Sequence, residues 1–413
     1  MSDSASQRDF AGQKTIQTGH NLWFVLPLIT SAALAQGLMK QGLPVFYPFI
    51  QNEFGLSHAQ VGLISASMAA GTALTVVLTG WLTDIFGVKR MITVALLSLT
   101  AFTLVFPLAY SFPLILGLVV IIGIVSSPLN LAITRAVIDW FPIRIRASAM
   151  SVKQMGIPSA GALSAALLPM LVLATGWRTA VAVTGLLVLA IAITFILLYR
   201  DAPQGSQAES KFSLASLKTM LRHRSLMVTM IWGSTLIGFQ HITLSYFMLF
   251  LIEKLELSPI TAGGLLAIAQ VSSIIARVLW GAISDFIFHG RRTVVLAFTG
   301  FLTILWMLGA SSVDVGVPIS AIYLMAIVIG ISTLSFHGVL LTYIGEQAEP
   351  GQMGVTLGIA IMAIQASQIV MPPLFGYLVD ISSSYSLGWR TTAVITLVCT
   401  AVLLAFGRRK QHR

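Results

Sequence analysis

Twelve stretches of this chain are each apolar for about the 20 residues that an α-helix needs to cross the hydrocarbon of a bilayer. They cover 22–48, 59–82, 91–110, 113–138, 149–174 and 178–199, then 225–252, 259–284, 293–312, 317–345, 352–378 and 386–406. Most connections between them are only a few residues long, so neighbouring spans run antiparallel. Charged residues make up 9% of the chain against about 25% in soluble domains, which makes lipid the expected solvent. The one long polar connection, Arg200–Arg224, contains Pro203 and Gly205 and reads as a linker between two six-helix halves.

The basic residues fix an expected orientation. Of 24 Lys and Arg, 17 fall on the face of the linker and both tails, and only Arg178, Lys254 and Arg390 on the other. Positive charge concentrates on the cytoplasmic side of membrane proteins, so both termini are expected there. This distribution also explains the net charge of +10 without a nucleic-acid partner. The expected organisation is a cytoplasmic tail 1–21, a six-helix bundle 22–199, a linker 200–224, a second bundle 225–406 and a tail 407–413, in a plasma (cell inner) membrane, as a monomer. The triplet Ala33-Leu34-Ala35 resembles a signal cleavage site, but its apolar run continues well past it and reads as the first span.

The halves repeat one another. Gly80-Trp-Leu-Thr-Asp84-Ile-Phe-Gly87-Val-Lys-Arg90 returns 201 residues later as Gly281-Ala-Ile-Ser-Asp285, followed by Gly290, Arg291 and Arg292, with two extra residues before the second glycine. Ser57 and Gly62 match Ser258 and Gly263 at the same offset, and Gly176-Trp177-Arg178 matches Gly388-Trp389-Arg390. The Gly80 pattern resembles the loops between helices 2 and 3, and 8 and 9, of the major facilitator superfamily. The resemblance implies an all-α membrane fold of two pseudo-symmetric six-helix halves, related by an axis along the membrane normal. It also implies that Gly80, Asp84, Gly87 and Arg90, with Gly281, Asp285 and Arg291, form a conformational latch. Plain topology anchoring is the alternative.

Ionisable groups inside a span are costly and therefore point to function. Lys40, Arg135, Lys153 and Arg277 lie within spans, whereas no Asp or Glu lies deep in any. A positive interior without a resident counter-ion calls for a negative substrate. Lys40 sits beside Gly42 and Pro44, which permit a helix break, and its repeat image is His241. Ala276–Gly281, containing Arg277, resembles helix 8 of monocarboxylate transporters, where an arginine binds the substrate carboxylate; their usual neighbouring aspartate is missing. Trp140–Ala147 resembles the helix 4–5 loop of organic-anion permeases. Gln154 and Gln365 are further candidates for orienting a carboxylate, and Arg135 is either a cavity cation or the i,i+4 partner of Asp139. His241 and His337 are the candidates for proton coupling.

The expected function is secondary transport of small organic anions, monocarboxylates foremost, by alternating access. Multidrug export and neutral-solute transport are the alternatives. Seven histidines and one cysteine, all scattered, supply no metal cluster or nucleophile constellation, and no phosphate-binding loop occurs. Neither an enzyme nor a cofactor or metal is expected.

Overall fold

The computed structural model describes residues 20–202, 223–348 and 353–407. Residues 1–19, 203–222, 349–352 and 408–413 lie outside the described residues, as do some side chains within helices, those of Trp81 and Asp84 among them. The described chain is helical throughout. In the first half, α1 spans His20–Lys40, α2 Tyr47–Phe54, α3 His58–Phe86, α4 Val88–Val105, α5 Phe112–Trp140, α6 Ile143–Thr175 and α7 Trp177–Leu198. In the second, α8 spans Arg224–Glu253, α9 Pro259–Ala282, α10 Arg292–Ser312, α11 Ile319–Ile331, α12 His337–Gln347, α13 Met353–Ser382 and α14 Tyr385–Phe406.

Nine of these helices are long and apolar enough to cross a membrane by themselves. The 29-residue α3 adds another. The first and tenth spans are each broken into two helices, α1 with α2 and α11 with α12. Twelve spans result, arranged as two six-helix halves.

Both breaks have local causes. After Lys40 the chain enters a short 3-10 turn, Leu43–Phe46. Pro44 and Pro48 lack the N–H that a continuous α-helix would use. The tenth span unwinds at Ser332-Thr333-Leu334-Ser335-Phe336 without any glycine or proline. There the freed groups find side chains: Trp280 Nε1 donates to the Ile331 carbonyl at 2.6 Å, and Arg277 Nη2 to that of Leu334 at 3.0 Å. Trp306 Nε1 donates to Thr333 Oγ1 at 2.8 Å. Hydroxyl side chains compete locally with helical hydrogen bonds, and neighbouring helices supply the rest.

The halves meet along α3 with α13 and α6 with α9. One buried apolar cluster runs the length of the first half, from Val88 and Tyr199 at the linker end to Ile50 and Val61, and joins it at the face remote from the linker to Phe247, Phe250 and Trp389 of the second half. At the linker end of the second half, Leu226, Trp232, Leu296 and Phe336 form a separate cluster with no first-half member. The two halves are thus packed together at the remote face.

Glycine makes several of these crossings close. A Cβ on Gly71 of α3 would lie 2.0 Å from the Val120 carbonyl of α5, whereas one on Gly117 meets nothing. Gly71→Ala is expected to destabilise the first half by about 1–3 kcal/mol through overpacking. Thermal unfolding in detergent should show a lowered Tm for Gly71→Ala and little change for Gly117→Ala.

Candidate anion site and the helix breaks that frame it

Lys40 is the last residue of α1, at the first break. It shares a small cavity with His241 of α8, along with Tyr47, Ser65, Thr72 and Gln368, so both halves contribute. The cavity holds about 20 Å³, room for a single water, because the halves close over it. No carboxylate pairs with Lys40 among the described residues.

Arg277 projects from α9 to the second break. One guanidinium nitrogen is held by the Leu334 carbonyl, while Nε is buried without a partner. His337 opens α12 just beyond, its ring stacked on Phe336 at 5.0 Å and its Nδ1 also buried and unpartnered. The expected symmetry between Lys40 and His241 therefore corresponds to a shared cavity, and each cation stands at a helix break.

Several expected members are not brought into this group. Arg135 Nε contacts Asp139 Oδ1 at 3.0 Å, so its charge is met by a carboxylate and it is no uncompensated interior cation. Lys153 is 2% exposed and is held by neutral oxygens: Asn130 Oδ1 at 3.0 Å, Thr134 Oγ1 at 3.1 Å and Gln154 Oε1 at 3.3 Å. Gln154 is thereby engaged with Lys153 rather than with Gln365, which is buried on α13.

Other polar groups escaped the sequence reading. Gln41 Oε1 and Gln270 Nε2, from opposite halves, are buried without protein partners. A Cβ on Gly161 would lie 2.5 Å from the first and 2.6 Å from the second, so the two amides converge on that glycine. Ser245 Oγ on α8 is likewise unpartnered, as is Oε1 of Gln240 on the same helix, a residue the sequence does offer as a hydroxyl binder for a neutral solute. Their presence inside apolar spans was the available signal.

This geometry can now be set against known proteins. A model of the Major Facilitator Superfamily matches residues 29–333 and 273–413. The chain is a member of that superfamily. It is 23% identical to a hexuronate transporter of Bacillus subtilis (strain 168) over 93% of this chain and 94% of that protein. It is also 23% identical to a protein named as a probable galactarate/D-glucarate transporter of Escherichia coli (strain K12), over 95% of this chain and 94% of that one. A solved bacterial homologue of the human lysosomal transporter Spinster, captured inward-facing and unoccupied, superposes with a TM-score of 0.77 at 16% identity, over 94% and 97% of the two chains. That likeness bears on the fold. The protein is a multi-pass membrane transporter and not an enzyme.

The superfamily loop is visible in its second copy. Arg292 Nη1 pairs with Asp285 and donates to Ser284 Oγ at 2.9 Å, while Nη2 lies 3.2 Å from Glu346 Oε1. Arg291, the residue expected there, is exposed and has its backbone N–H on the Phe288 carbonyl. The placement of Arg292 follows from the two extra residues in this copy. They are absorbed by a π-helical turn over Ile283–Ile287 and left-handed His289 and Gly290, with φ of 49° and 78°, and this rotates Arg292 inward. In the first copy Gly87, with φ of 80°, turns the chain, and Arg90 is exposed. The side chain of Asp84 and the environment of Gly80 lie outside the described residues. Arg292→Ala should lower the Tm by the loss of two carboxylate contacts, about 1 kcal/mol. Arg291→Ala should leave it unchanged in the same melting experiment.

Proposed function

We propose that this transporter carries small hydroxylated organic anions, monocarboxylates of the sugar-acid kind, by alternating access. The observation that carries the reading is that Lys40 and Arg277 stand at helix breaks without a carboxylate partner among the described residues. A buried cation lacking its counter-charge is unfavourable, and a substrate carboxylate would supply it. The unpartnered amides of Gln41, Gln270 and Gln240 support a substrate that also brings hydroxyls. Sites built around buried polar groups reject ligands that leave those groups unmet. The name of the hexuronate relative agrees with such a cargo; galactarate and D-glucarate are hydroxylated dicarboxylates, so that relative's name agrees with the hydroxylated-anion part of the reading alone.

Proton coupling is part of the proposal. Protonating His241 or His337 adds positive charge to a group that already contains Lys40 and Arg277. A bound anion offsets that charge. Anion and proton then favour each other's binding, which is the thermodynamic requirement of symport. The linker face is read as cytoplasmic from its basic residues, in a plasma (cell inner) membrane, with the protein acting as a monomer.

Purified protein should be stabilised by D-glucuronate or D-galacturonate, and by neither glucose nor a lipophilic cation. Lys40→Ala and Arg277→Ala should each weaken that stabilisation about 10- to 100-fold in apparent Kd, roughly 1.4–3 kcal/mol. Stabilisation by glucose alone would favour the neutral-solute reading, and by the cation alone the multidrug reading. In proteoliposomes, uptake should accelerate under an imposed inward proton gradient. Indifference to that gradient would remove the proton from the mechanism.

A further inference from the structure

At the face remote from the linker, the two halves are joined through the first turn of α3. Ser57 caps this helix from its own chain, accepting from the Gln60 N–H at 3.3 Å. The two earlier N–H groups are met by the other half. Asp380 of α13 accepts from the His58 N–H through Oδ1 and from the Ala59 N–H through Oδ2, both at 2.9 Å. A carboxylate at a helix N-terminus is stabilised by the exposed N–H groups and the helix dipole together. Here that carboxylate is supplied across the interface.

The His58 side chain completes the contact. Its Nδ1 lies 2.8 Å from Asp380 Oδ1 and its Nε2 lies 2.8 Å from Glu253 Oε2, at the end of α8. An ionised carboxylate only accepts hydrogen bonds, and a neutral imidazole has one donor. With both ring nitrogens against carboxylates, the arrangement is satisfied by the imidazolium. Tyr385 of α14 donates to the same Glu253 oxygen at 2.6 Å, and the Tyr246 hydroxyl of α8 lies 2.7 Å from the His58 carbonyl. The nearby cation, Lys254, is paired with Asp314 and does not compete for these carboxylates. Gly62 and Gly376 let α3 and α13 approach closely enough; a Cβ on Gly376 would lie 2.2 Å from the His58 carbonyl oxygen.

We propose that His58 is a proton-binding site at the mouth of the transporter, and that its occupancy latches the two halves together there. The ring borders a surface cleft of about 380 Å³ lined also by Glu253, Lys254, Asp380 and Tyr385, so protons reach it from the medium. Opening this face must separate α3 from α13 and strip His58 of both carboxylates at once. The site is distinct from Lys40, His241 and His337, and its proton regulates access rather than travelling with the cargo.

The sign follows from the surroundings. Burial opposes a charge on this ring, but the hydrogen bonds and charges of Glu253 and Asp380 outweigh it and hold the His58 pKa above the ordinary histidine value. A value raised only in the closed form means that closure is favoured below the open-state value. That advantage is lost as the pH rises through the closed-state value. Acid therefore holds this face shut, and mildly alkaline medium releases it.

The test uses the full-length protein in nanodiscs, with Cys399→Ser removing its one native cysteine. Spin labels on Tyr110→Cys and Val315→Cys, exposed loop positions at this face in opposite halves, report the gap between the halves. Lowering the pH from about 8 to about 5.5 should raise the ratio of short-distance to long-distance populations severalfold. In His58→Gln that response should vanish. Glu253→Gln should weaken it, because the amide can donate to a neutral His58 while Asp380 alone still favours the imidazolium. A pH response that persists in both variants, or none in the parent, would overturn the proposal. The readout needs no substrate, so it stands apart from any failure of the anion reading.

Discussion

A backbone amide inside a bilayer has no water to turn to, and every departure from helix within the membrane has to be met by the protein itself. Among the described residues this chain departs twice at depth, after Lys40 and across Ser332–Phe336. In the second break the freed carbonyls take hydrogen bonds from Trp280 and Arg277, and the hydroxyl of Thr333 takes one from Trp306. Arg277 is thereby fixed by the very irregularity that opens a polar zone in the span. Lys40 gains its position in the complementary way, as the residue where α1 stops. The two breaks are thus both the structural cost of a polar site and the means of building it.

The same environment separates two kinds of basic residue. Arg135, Arg178, Lys254 and Arg292 each have a carboxylate partner, and Lys153 is surrounded by neutral oxygens. Lys40 and Arg277, like Lys153, have no carboxylate partner among the described residues, but they lack the ring of neutral oxygens that encloses Lys153 and they stand at helix breaks. In a low-dielectric interior the difference is large, since an unpaired charge retains its full desolvation penalty. That asymmetry singles out the pair for an anionic ligand, and the unmet amides around them extend the argument to hydroxyl groups.

The packing of the halves shows a division of labour. Apolar contact and close glycine crossings seal the remote face over a broad area, while the polar contacts there concentrate on His58, Asp380, Glu253 and their tyrosines. Apolar packing is insensitive to pH, whereas the imidazole is not. A transporter that alternates between two arrangements needs interfaces whose strengths are nearly balanced, and one titratable contact among many fixed ones is enough to tilt them.

Much of this was legible beforehand. Twelve apolar runs, the spacing of the Gly-Asp loops and the segregation of Lys and Arg determine the span count and the repeat, because lipid punishes any other reading of such segments. Gly42 and Pro44 announced the first break, since their backbone restrictions are local. The break at Ser332–Phe336 contains no glycine or proline, and its stability comes from side chains more than 20 residues away in sequence. The exchange of Arg291 for Arg292 depended on a π-helical turn that absorbs two extra residues, a choice made by packing. His58 gave no sign at all, because Asp380 lies 322 positions further along the chain. Sequence alone determined which residues lie in lipid and where charge is out of place. Tertiary structure decided which of those charges are neutralised, since partners in a helical bundle are set by the crossing of distant helices.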